Sequence, residues 1–362
     1  MQIIQLLPTL AFGDAVGNDA RAIKKILQSA GYQTQIYAEN IDPRLPVGTA
    51  EPFEKLPSLG HSDVLIYHLS VGSSINDCLD AFRCRKMMIY HNITPPSFFS
   101  KYSLLAQHLS SQGLEDMRRL NSTFDYCLAD SAYNRKELRE AGYACPIDVC
   151  PVLIPFSDYL QMPDTVSMDR LSDGRTNIVF VGRVAPHKKQ EDIIRIFSYY
   201  KKHFDRKARL LLVGADGGME CYTRDLWKTV WDCGLQNGDV EFLGHVGFST
   251  ILAVYRAADL FLCMSEHEGF CVPLIEAMMF DVPIIAYAAS AVPDTLGGCG
   301  VLMEDKVPDS CAMWMHRLLA DDVFWYETIQ RQRQRLQDFS EEKTAALLLE
   351  KISGFLKESA AQ

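Results

Sequence analysis

The amino-acid sequence predicts an α/β protein of two successive domains, each an open and mostly parallel sheet with helices on both faces. Short apolar runs alternate with amphipathic ones from residue 3 to residue 141, and this alternation is typical of strands followed by helices. A polar stretch without periodicity follows at residues 155–176, and the alternation begins again at residue 178. With 362 residues, the chain is long enough for two cores joined by a linker.

The predicted elements of the first half start at the first residues. The opening run, residues 3–7, has no basic segment before it and soon reaches Gly13 and Asp14, so it is predicted to be a strand and not a signal peptide. Residues 42–61 are rich in proline and glycine and are predicted to form a loop. The other runs lie at residues 16–30, 34–37, 64–67, 75–82, 87–91, 102–120, 126–129, 132–141 and 147–153.

The second half repeats this pattern and ends in a long amphipathic helix, predicted at residues 339–357. Its preceding runs lie at residues 178–182, 193–204, 209–213, 222–233, 240–243, 251–257, 258–264 and 282–286. The first domain is accordingly predicted at residues 1–160, together with the C-terminal helix 339–362. The second domain is predicted at residues 170–338.

Composition and charge exclude several classes of protein. Apolar residues make up 48% of the chain and charged residues 23%, which is ordinary for a globular domain. The net charge of -10 argues against a nucleic-acid partner, because phosphate backbones are bound through an excess of Lys and Arg. No apolar run reaches the ~20 residues of a spanning helix. We therefore expect a cytoplasmic protein whose membrane contact, if any, is peripheral at the inner face.

Cysteine spacing and glycine motifs give no sign of a bound cofactor. The eleven cysteines contain no C-x-x-C pair and no Cys/His group with zinc spacing, so they are predicted to be reduced core residues. Neither half has G-x-G-x-x-G after a strand, which argues against a nicotinamide or flavin cofactor.

The most informative stretch is residues 265–278, a loop and short helix between the predicted strands 258–264 and 282–286. Pro273 suits the first turn of a helix. Gly269 allows the backbone to approach a ligand where N–H groups collect at the helix start, which favours a phosphate. The carboxylate of Glu276 lies one turn further on and can accept hydrogen bonds from sugar or ribose hydroxyls. The stretch predicts a nucleotide-sugar pocket.

Glu268-Gly269-Phe270, a proline five residues after Glu268, and Glu276-Ala277-Met278 together resemble the E-x7-E signature of retaining GT-B glycosyltransferases of family 4. The alternative is a glutamate at a helix start that interacts with the helix dipole. The resemblance extends over nearly the whole chain, because two Rossmann-like domains in tandem are the GT-B architecture. It implies a cleft between the domains and a last helix that crosses back to the first domain.

A second motif, Gly182-Arg183 followed by Lys188, comes directly after the first predicted strand of the second half. It resembles the G-R-x-x-x-x-K motif with which the family holds a diphosphate, and the alternative is a pair of surface cations at a turn. Lys189 is a possible substitute, but the spacing favours Lys188. No D-x-D is present, so the carboxylate pair of metal-dependent glycosyltransferases is missing and no metal is predicted.

The resemblance also assigns roles to single residues. Glu276 would hold the ribose hydroxyls, Glu268 the donor sugar, and Arg183 and Lys188 the diphosphate. Backbone N–H groups would come from Gly269, Phe270 and Cys271.

Acceptor-side residues are predicted in the first domain. His91 follows the strand 87–90, and the family has a histidine there near the donor sugar; the alternative is a loop residue with its hydrogen bonds satisfied. Many relatives have Gly-Gly after the first strand where this chain has Gly13-Asp14. Asp14 puts phosphate binding in doubt, so it either binds an acceptor hydroxyl or caps the helix. Asp130 likewise resembles a family feature but suits a helix N-cap equally well.

The predicted function is that of a retaining glycosyltransferase. It would move a sugar from a nucleotide sugar to a glycan or lipid-linked acceptor in surface polysaccharide or glycolipid synthesis. Basic groups at residues 83–86 and 118–119 fit either contact with anionic lipid or a solvated surface, and the second is favoured. Two alternatives remain: a binding subunit without turnover, and a GT-B epimerase that acts on a UDP-sugar.

Overall fold

The computed structural model describes residues 1–358 and divides the chain into two compact units. The first unit contains residues 1–97 and 105–155 and the C-terminal segment that begins at Phe339. The second contains Phe98–Leu104 and Phe156–Asp338. The last four residues of the predicted C-terminal helix, 359–362, lie outside the described residues.

The first unit contains a seven-stranded parallel sheet in the order β3-β2-β1-β4-β5-β6-β7. The short strand β3 was not predicted. It lies in the predicted loop 42–61, where Glu51 and Pro52 pair with β2. The strands are β1 (Gln2–Leu10), β2 (Gln33–Ile41), β3 (Glu51–Pro52), β4 (Val64–Leu69), β5 (Arg85–Tyr90), β6 (Tyr126–Ala129) and β7 (Ile147–Val149).

The second unit contains a six-stranded parallel sheet in the order β10-β9-β8-β11-β12-β13. Its central strands are buried along their whole length, as expected of a sheet with helices on both faces. The strands are β8 (Asn177–Val181), β9 (Arg209–Val213), β10 (Val240–Gly244), β11 (Leu260–Cys263), β12 (Ile284–Tyr287) and β13 (Val301–Met303).

Twelve α-helices are found among residues 1–358. They are α1 (Ala15–Ser29), α2 (Leu104–Arg119), α3 (Ala132–Glu140), α4 (Thr165–Leu171), α5 (Gln190–His203), α6 (Glu220–Asp232), α7 (Phe248–Arg256), α8 (Val272–Met279), α9 (Val292–Leu296), α10 (Pro308–Ala320), α11 (Asp322–Leu336) and α12 (Glu341–Glu358).

Two stretches differ from the prediction. The run at residues 75–82 forms neither a strand nor a regular α-helix, because Ser74–Ala81 form 3-10 turns that Ser73 caps by accepting from the N–H of Ile75. The predicted linker contains a 3-10 turn at Phe156–Leu160 and the helix α4. A seven-residue helix is too short to show a clear apolar period, so this one escaped the sequence pattern.

Helix α12 belongs to the first unit, as predicted. Its buried residues Leu348, Ile352 and Phe355 share one core with Ile3 of β1 and Ile23 of α1. The guanidinium of Arg85 lies 3.8 Å above the ring of Phe355 and adds a cation–π contact. The last helix of the chain therefore completes the core that the first strand begins.

The strand order reverses at one point in each sheet. Strand β1 lies between β2 and β4, and strand β8 lies between β9 and β11. The connections on the two sides of such a strand lead in opposite directions, which opens a crevice at its carboxyl end where ligands of α/β proteins bind. In the first sheet this position belongs to the loops after β1 and β4, and in the second to the loops after β8 and β11.

Close backbone packing fixes the loop after β8. The N–H of Gly182 donates to the carbonyl of Val213 at 2.8 Å, and that of Val184 donates to Ala215 at 2.9 Å. A Cβ atom on Gly214 would lie only 2.0 Å from the carbonyl oxygen of Gly182. The loop after β8 and the loop after β9 can pack this closely only because residue 214 has no side chain.

Gly214→Ala is expected to destabilise the protein, because the added methyl group would meet rigid backbone at 2.0 Å. Overpacking of this kind costs on the order of 2 kcal/mol or more. Gly217→Ala is the matched control, since a Cβ there meets no atom within 4 Å. Urea unfolding of both variants measures the difference. Equal free energies of unfolding would show that the two loops adjust without strain.

Candidate functional site

In the second unit, an ion pair joins the loops that follow β8 and β11. The ammonium of Lys188 lies 2.7 Å from each carboxylate oxygen of Glu268. Both side chains are mostly buried, with 16% of the surface of Lys188 and 7% of that of Glu268 exposed. Burial lowers the pKa of Lys188, but the negative charge of Glu268 outweighs this effect and raises the pKa above its ordinary value. The lysine is therefore a fixed cation at the reversal point of the sheet.

Lys188 and Lys189 have different surroundings. Lys189 takes a left-handed backbone conformation with φ of 54° and is the N-cap residue before α5. Its ammonium lies 3.3 Å from Glu266 and 3.6 Å from Glu191. Lys306 also binds Glu266, at 2.8 Å. Lys189 thus belongs to a more exposed charge network, and Lys188 alone of the two contacts Glu268.

Arg183 stands on the same loop as Lys188, with an exposed side chain. Its guanidinium donates to the carbonyl of Gly217 at 3.2 Å, a contact that uses only one of its five N–H groups. The remaining donors are available to an anion at the carboxyl end of β8.

The segment before α8 is held by contacts to the turn before α9 and to α9 itself. The N–H of Glu268 donates to the hydroxyl of Ser290 at 2.7 Å, and the carbonyl of Phe270 accepts from the hydroxyl of Thr295. Cys271 precedes the helix with φ of 72°, so a cysteine and not Gly269 takes the left-handed conformation here. Pro273 lies in the first turn, as expected. Within the described chain, Cys271 makes no side-chain cap, which leaves the N–H groups of the helix start to face this segment.

Glu276 lies further along α8, and two tyrosines hold its carboxylate. The hydroxyl of Tyr159 donates to Oε1 at 2.6 Å, and that of Tyr255 donates to Oε2 at 2.7 Å. Burial raises the pKa of Glu276, while the two phenol hydrogen bonds oppose the shift. Sequence reasoning selected Glu276 but neither tyrosine, because no local pattern links residue 159 to residue 276.

Two thiols flank Glu268. The ligand atoms of Cys263, Cys271 and Glu268 lie within 4.8 Å of one another, a grouping of metal-ligand types. The ammonium of Lys188 already occupies the same carboxylate, and its positive charge opposes a metal ion there. The pairing favours a cation supplied by the protein over one supplied by a metal.

His187, the residue before Lys188, was not selected from the sequence. The rings of Phe98 and Phe99 lie edge-on to it, with centroids 6.1 and 5.9 Å away. Its Nδ1 atom is buried without a hydrogen-bond partner among the described residues. Burial, and then the charge of Lys188, lowers the pKa of His187 well below its usual range, so the ring is neutral.

In the first unit, His91 belongs to a chain of buried hydrogen bonds at the carboxyl ends of β4 and β5. His91 Nε2 lies 2.8 Å from His68 Nδ1, and His91 Nδ1 lies 2.9 Å from a carboxylate oxygen of Asp130. His68 Nε2 lies 3.0 Å from Oε1 of Gln5. Only 3% of the His91 side chain is exposed. Since both ring nitrogens are engaged, a contact with a donor sugar would have to compete with these bonds.

The chain of bonds fixes the proton positions. The amide nitrogen of Gln5 donates to the carbonyl of Ala20 at 3.1 Å, so its oxygen faces His68 and accepts the Nε2 proton. Burial lowers the pKa of His68 well below its usual range, which leaves Nδ1 as an acceptor. His91 must then donate from Nε2 to His68 and from Nδ1 to Asp130. It is therefore an imidazolium, and although burial opposes this, Asp130 raises its pKa.

Of the two roles left open for Asp130, helix capping is not observed, and its carboxylate contacts His91 instead. Ser131 is the N-cap of α3, because its hydroxyl accepts from the N–H of Asn134 at 3.1 Å. A sequence pattern could not separate these two adjacent capping residues.

Asp19 lies beside this chain of bonds. One of its oxygens accepts from the N–H of Leu153 at 2.7 Å, and burial raises its pKa to about 7, against the opposing charge of His91. Asp19, His68 and His91 have metal-ligand atoms within 4.8 Å of one another. The two imidazole planes, however, differ by only 1°, and the nitrogens face each other at 2.8 Å. That geometry fits a shared proton and not an ion bound by both lone pairs.

Gly13 and Asp14 follow β1. Gly13 has φ of 73°, and Asp14 is the N-cap of α1, accepting from the N–H of Gly17 at 3.3 Å. Of the two roles left open for Asp14, helix capping is observed. Its charge also raises the pKa of His91.

The structure therefore brings some of the predicted residues into contact and leaves others apart. Lys188 and Glu268 form a direct pair, and Cys271 lies beside them. Glu276 is held separately by its two tyrosines. No helix within residues 1–358 has the length and hydropathy needed to cross a membrane.

Comparison with known proteins finds a family similarity in the second unit. Residues 175–321 match the family described as glycosyl transferases group 1. The chain is 26% identical over 149 residues to O-antigen chain mannosyltransferase B of Escherichia coli, covering 41% of this chain and 38% of that protein. It is 30% identical over 180 residues to D-inositol 3-phosphate glycosyltransferase of Salinispora arenicola, covering 48% and 40%. The chain thus matches well under half the length of these curated relatives.

Solved structures resemble the whole chain. Sucrose-phosphate synthase from Thermosynechococcus elongatus has a TM-score of 0.73 at 18% identity, covering 99% of this chain and all of that one. Anabaena Alr3699/HepE, solved in complex with UDP-glucose, has a TM-score of 0.73 at 18% identity, covering 98% and 100%. These likenesses confirm the predicted GT-B fold class with two Rossmann-like domains. The family match confirms the resemblance to glycosyltransferases, while family 4 and the E-x7-E signature remain predictions.

Asp19→Asn is expected to flatten the pH dependence of stability. Asp19 keeps its proton up to about pH 7 in the folded protein but loses it near 3.8 when unfolded. Because the folded pKa is raised, the contribution to stability is complete below the unfolded pKa and is lost as pH rises through the folded pKa. The wild type should therefore lose up to about 1.4 kcal/mol of unfolding free energy per pH unit in this window. The amide of the variant does not titrate.

Urea unfolding at pH 5 and pH 8 measures this slope. The amide oxygen of the variant can still accept from Leu153, so the fold is retained. Asp232→Asn, at an exposed position, is the control and should follow the wild type. Parallel curves for wild type and Asp19→Asn would show that Asp19 is ionised in the folded protein throughout.

Proposed function

We propose that the protein is a retaining glycosyltransferase that moves a sugar from a nucleoside-diphosphate sugar to an acceptor hydroxyl, in the synthesis of a surface polysaccharide or glycolipid. The observation that carries this proposal is the buried pair of Lys188 and Glu268 at the reversal point between β8 and β11. It lies inside the region that matches glycosyl transferases group 1. The names of the relatives, which include mannosyl- and glycosyltransferases, support the reaction class.

The charges of the site suit a diphosphate leaving group. Lys188 is a fixed cation, Arg183 has donors that face solvent, and the start of α8 lacks a side-chain cap. As the glycosidic bond breaks, the departing nucleotide gains negative charge, and cations placed beside it act more strongly then than in the ground state. UDP-glucose bound to the structural neighbour Alr3699/HepE supports a donor of this chemical class.

Glu268 is proposed to hold a hydroxyl of the donor sugar. Both of its oxygens contact the ammonium of Lys188, which lowers the nucleophilicity of the carboxylate. A covalent glycosyl intermediate on Glu268 is therefore disfavoured, and departure and attack on the same face of the sugar accounts for retention. Glu276 is proposed to bind the ribose hydroxyls. Gly13, Asp14 and His91 are proposed to line the acceptor side.

We also propose that the reaction needs no metal ion. The positive charge that a metal would bring to the diphosphate is supplied by Lys188, Arg183 and the N-terminus of α8. Activity should therefore survive dialysis against EDTA, measured as release of nucleotide from the donor in the presence of acceptor. Complete loss of rate that Mn²⁺ or Mg²⁺ restores would contradict metal independence while leaving the transfer reaction itself intact.

Lys188→Ala should lower kcat by on the order of 10²-fold, because it removes charge that stabilises the departing nucleotide. Lys189→Ala should have little effect on kcat, since Lys189 pairs with Glu191 and Glu266 instead. A thermal-shift screen with UDP-, GDP- and dTDP-sugars first selects the donor, because a bound donor raises apparent stability. Initial rates at saturating donor then compare the two variants.

Circular dichroism and melting curves establish that both lysine variants are folded, which matters because Lys188→Ala leaves the buried Glu268 unpaired. Equal losses in the two variants would indicate general damage to the turn. A Lys188→Ala enzyme with near-normal kcat would remove the diphosphate role. Donor binding without any transfer, with every acceptor tried, would favour a binding subunit.

A further inference from the structure

We infer that Tyr159 and Tyr255 are positioning residues that hold the carboxyl group of Glu276 in one orientation for the ribose of the donor nucleotide. The inference rests on the proposed function and extends it to two residues that no motif marks. Tyr159 belongs to the turn Phe156–Leu160 before the second sheet begins, and it reaches Glu276 across 117 positions of sequence. Tyr255 comes from α7, 21 positions before Glu276.

The hydrogen bonds from Tyr159 and Tyr255 occupy only half of the acceptor sites of the Glu276 carboxylate. Oε1 accepts from Tyr159 at 2.6 Å and Oε2 accepts from Tyr255 at 2.7 Å, one bond to each oxygen. An ionised carboxylate has about four acceptor sites, so each oxygen keeps one more. Two remaining sites on neighbouring oxygens match a pair of adjacent hydroxyl donors, and the ribose of a nucleotide presents such a pair. The tyrosines therefore fix the carboxylate without blocking it.

Aromatic packing holds both phenols in place. The ring of Tyr255 lies parallel to that of Phe280, with centroids 5.5 Å apart and planes 3° apart. The ring of Tyr159 lies edge-on to Phe248, with centroids 5.1 Å apart. Tyr159 is 8% exposed and Tyr255 is fully buried. A change from tyrosine to phenylalanine at either position keeps this packing and removes only the hydroxyl.

The hydroxyls also control the charge of Glu276. The titratable groups that shift the pKa of Glu276 are Tyr159 and Tyr255. Cys271 in turn shifts the pKa of Tyr255. Burial raises the pKa of Glu276 and both phenols lower it. Removal of one phenol will raise the pKa further, so a larger fraction of the carboxyl will be protonated at mildly acidic pH. A protonated carboxyl is a weaker acceptor for ribose hydroxyls than a carboxylate.

The test uses the full-length protein and UDP, GDP or another nucleoside diphosphate that raises its melting temperature. Tyr159→Phe should weaken nucleotide binding on the order of tenfold by calorimetry, since charge-assisted hydrogen bonds are among the strong ones. The loss should be greater at pH 6 than at pH 8. With the 2′-deoxy form of the same nucleotide, the loss should shrink, because one of the two ribose hydroxyls is absent. In turnover, the change should appear mainly in the donor KM.

Matched variants separate positioning from general damage. Tyr199→Phe, a half-buried tyrosine of α5 whose ring packs on His203, should bind as the wild type does. In a double-mutant cycle, Tyr159→Phe should add little to Glu276→Gln, because Tyr159 acts through that carboxylate. Tyr255→Phe provides a second route to the same result if one variant fails to fold.

The outcomes distinguish this inference from the function on which it rests. If the wild type binds a nucleoside diphosphate but both tyrosine variants bind it equally well at both pH values, the positioning role is overturned. The same holds if ribose and 2′-deoxyribose nucleotides show identical losses, or if the effects of Tyr159→Phe and Glu276→Gln simply add. If the wild type binds no nucleotide, the proposed function fails first, and the inference fails with it.

Discussion

The buried contact between Lys188 and Glu268 is the interaction on which the second unit depends. It connects the segment after β8 to the segment after β11, at the only place where the order of that sheet reverses within the described residues. Two charges removed from water are stable together but not apart, since the loss of either partner strands an uncompensated charge. The pair therefore aligns two loops and also keeps a cation where an anionic ligand of an α/β sheet binds.

The two sheets place different chemistry at equivalent positions. Beside β8, Lys188 is paired with Glu268. Beside β1 and β4, His68 and His91 share a proton, and Asp130 is the counter-ion. Strand order determines where polar groups meet, and the side chains determine which ligand they suit. A crevice lined by Lys188 favours anions. At the His91 site, by contrast, the side chains of Asp14, Asp19 and Asp130 lie around a single imidazolium.

Local sequence patterns predicted those structural features that depend only on residues close together in the chain. The strand before Gly182, the proline in the first turn of α8 and the apolar face of α12 all follow from periodicity and capping. The pattern missed α4, which is too short for a period, and it could not decide whether Asp130 caps a helix, a role that Ser131 has. The bonds from Tyr159 to Glu276 and from His68 to His91 could not be predicted, because they join distant segments that only the tertiary fold brings together. Sequence thus indicated the charged residues, and structure supplied the groups that hold them.

Because α12 completes the core of the first unit, the order of synthesis on the ribosome has a consequence for folding. Leu348, Ile352 and Phe355 are translated only after all of Phe156–Asp338, so the apolar surface around Ile3 and Ile23 stays uncovered while the second unit emerges. Exposed apolar surface and incomplete packing make such nascent states prone to aggregate. The residues of the second unit are contiguous in the chain apart from Phe98–Leu104, so this unit can fold first. Truncation near residue 340 would remove α12 and leave the core of the first unit exposed.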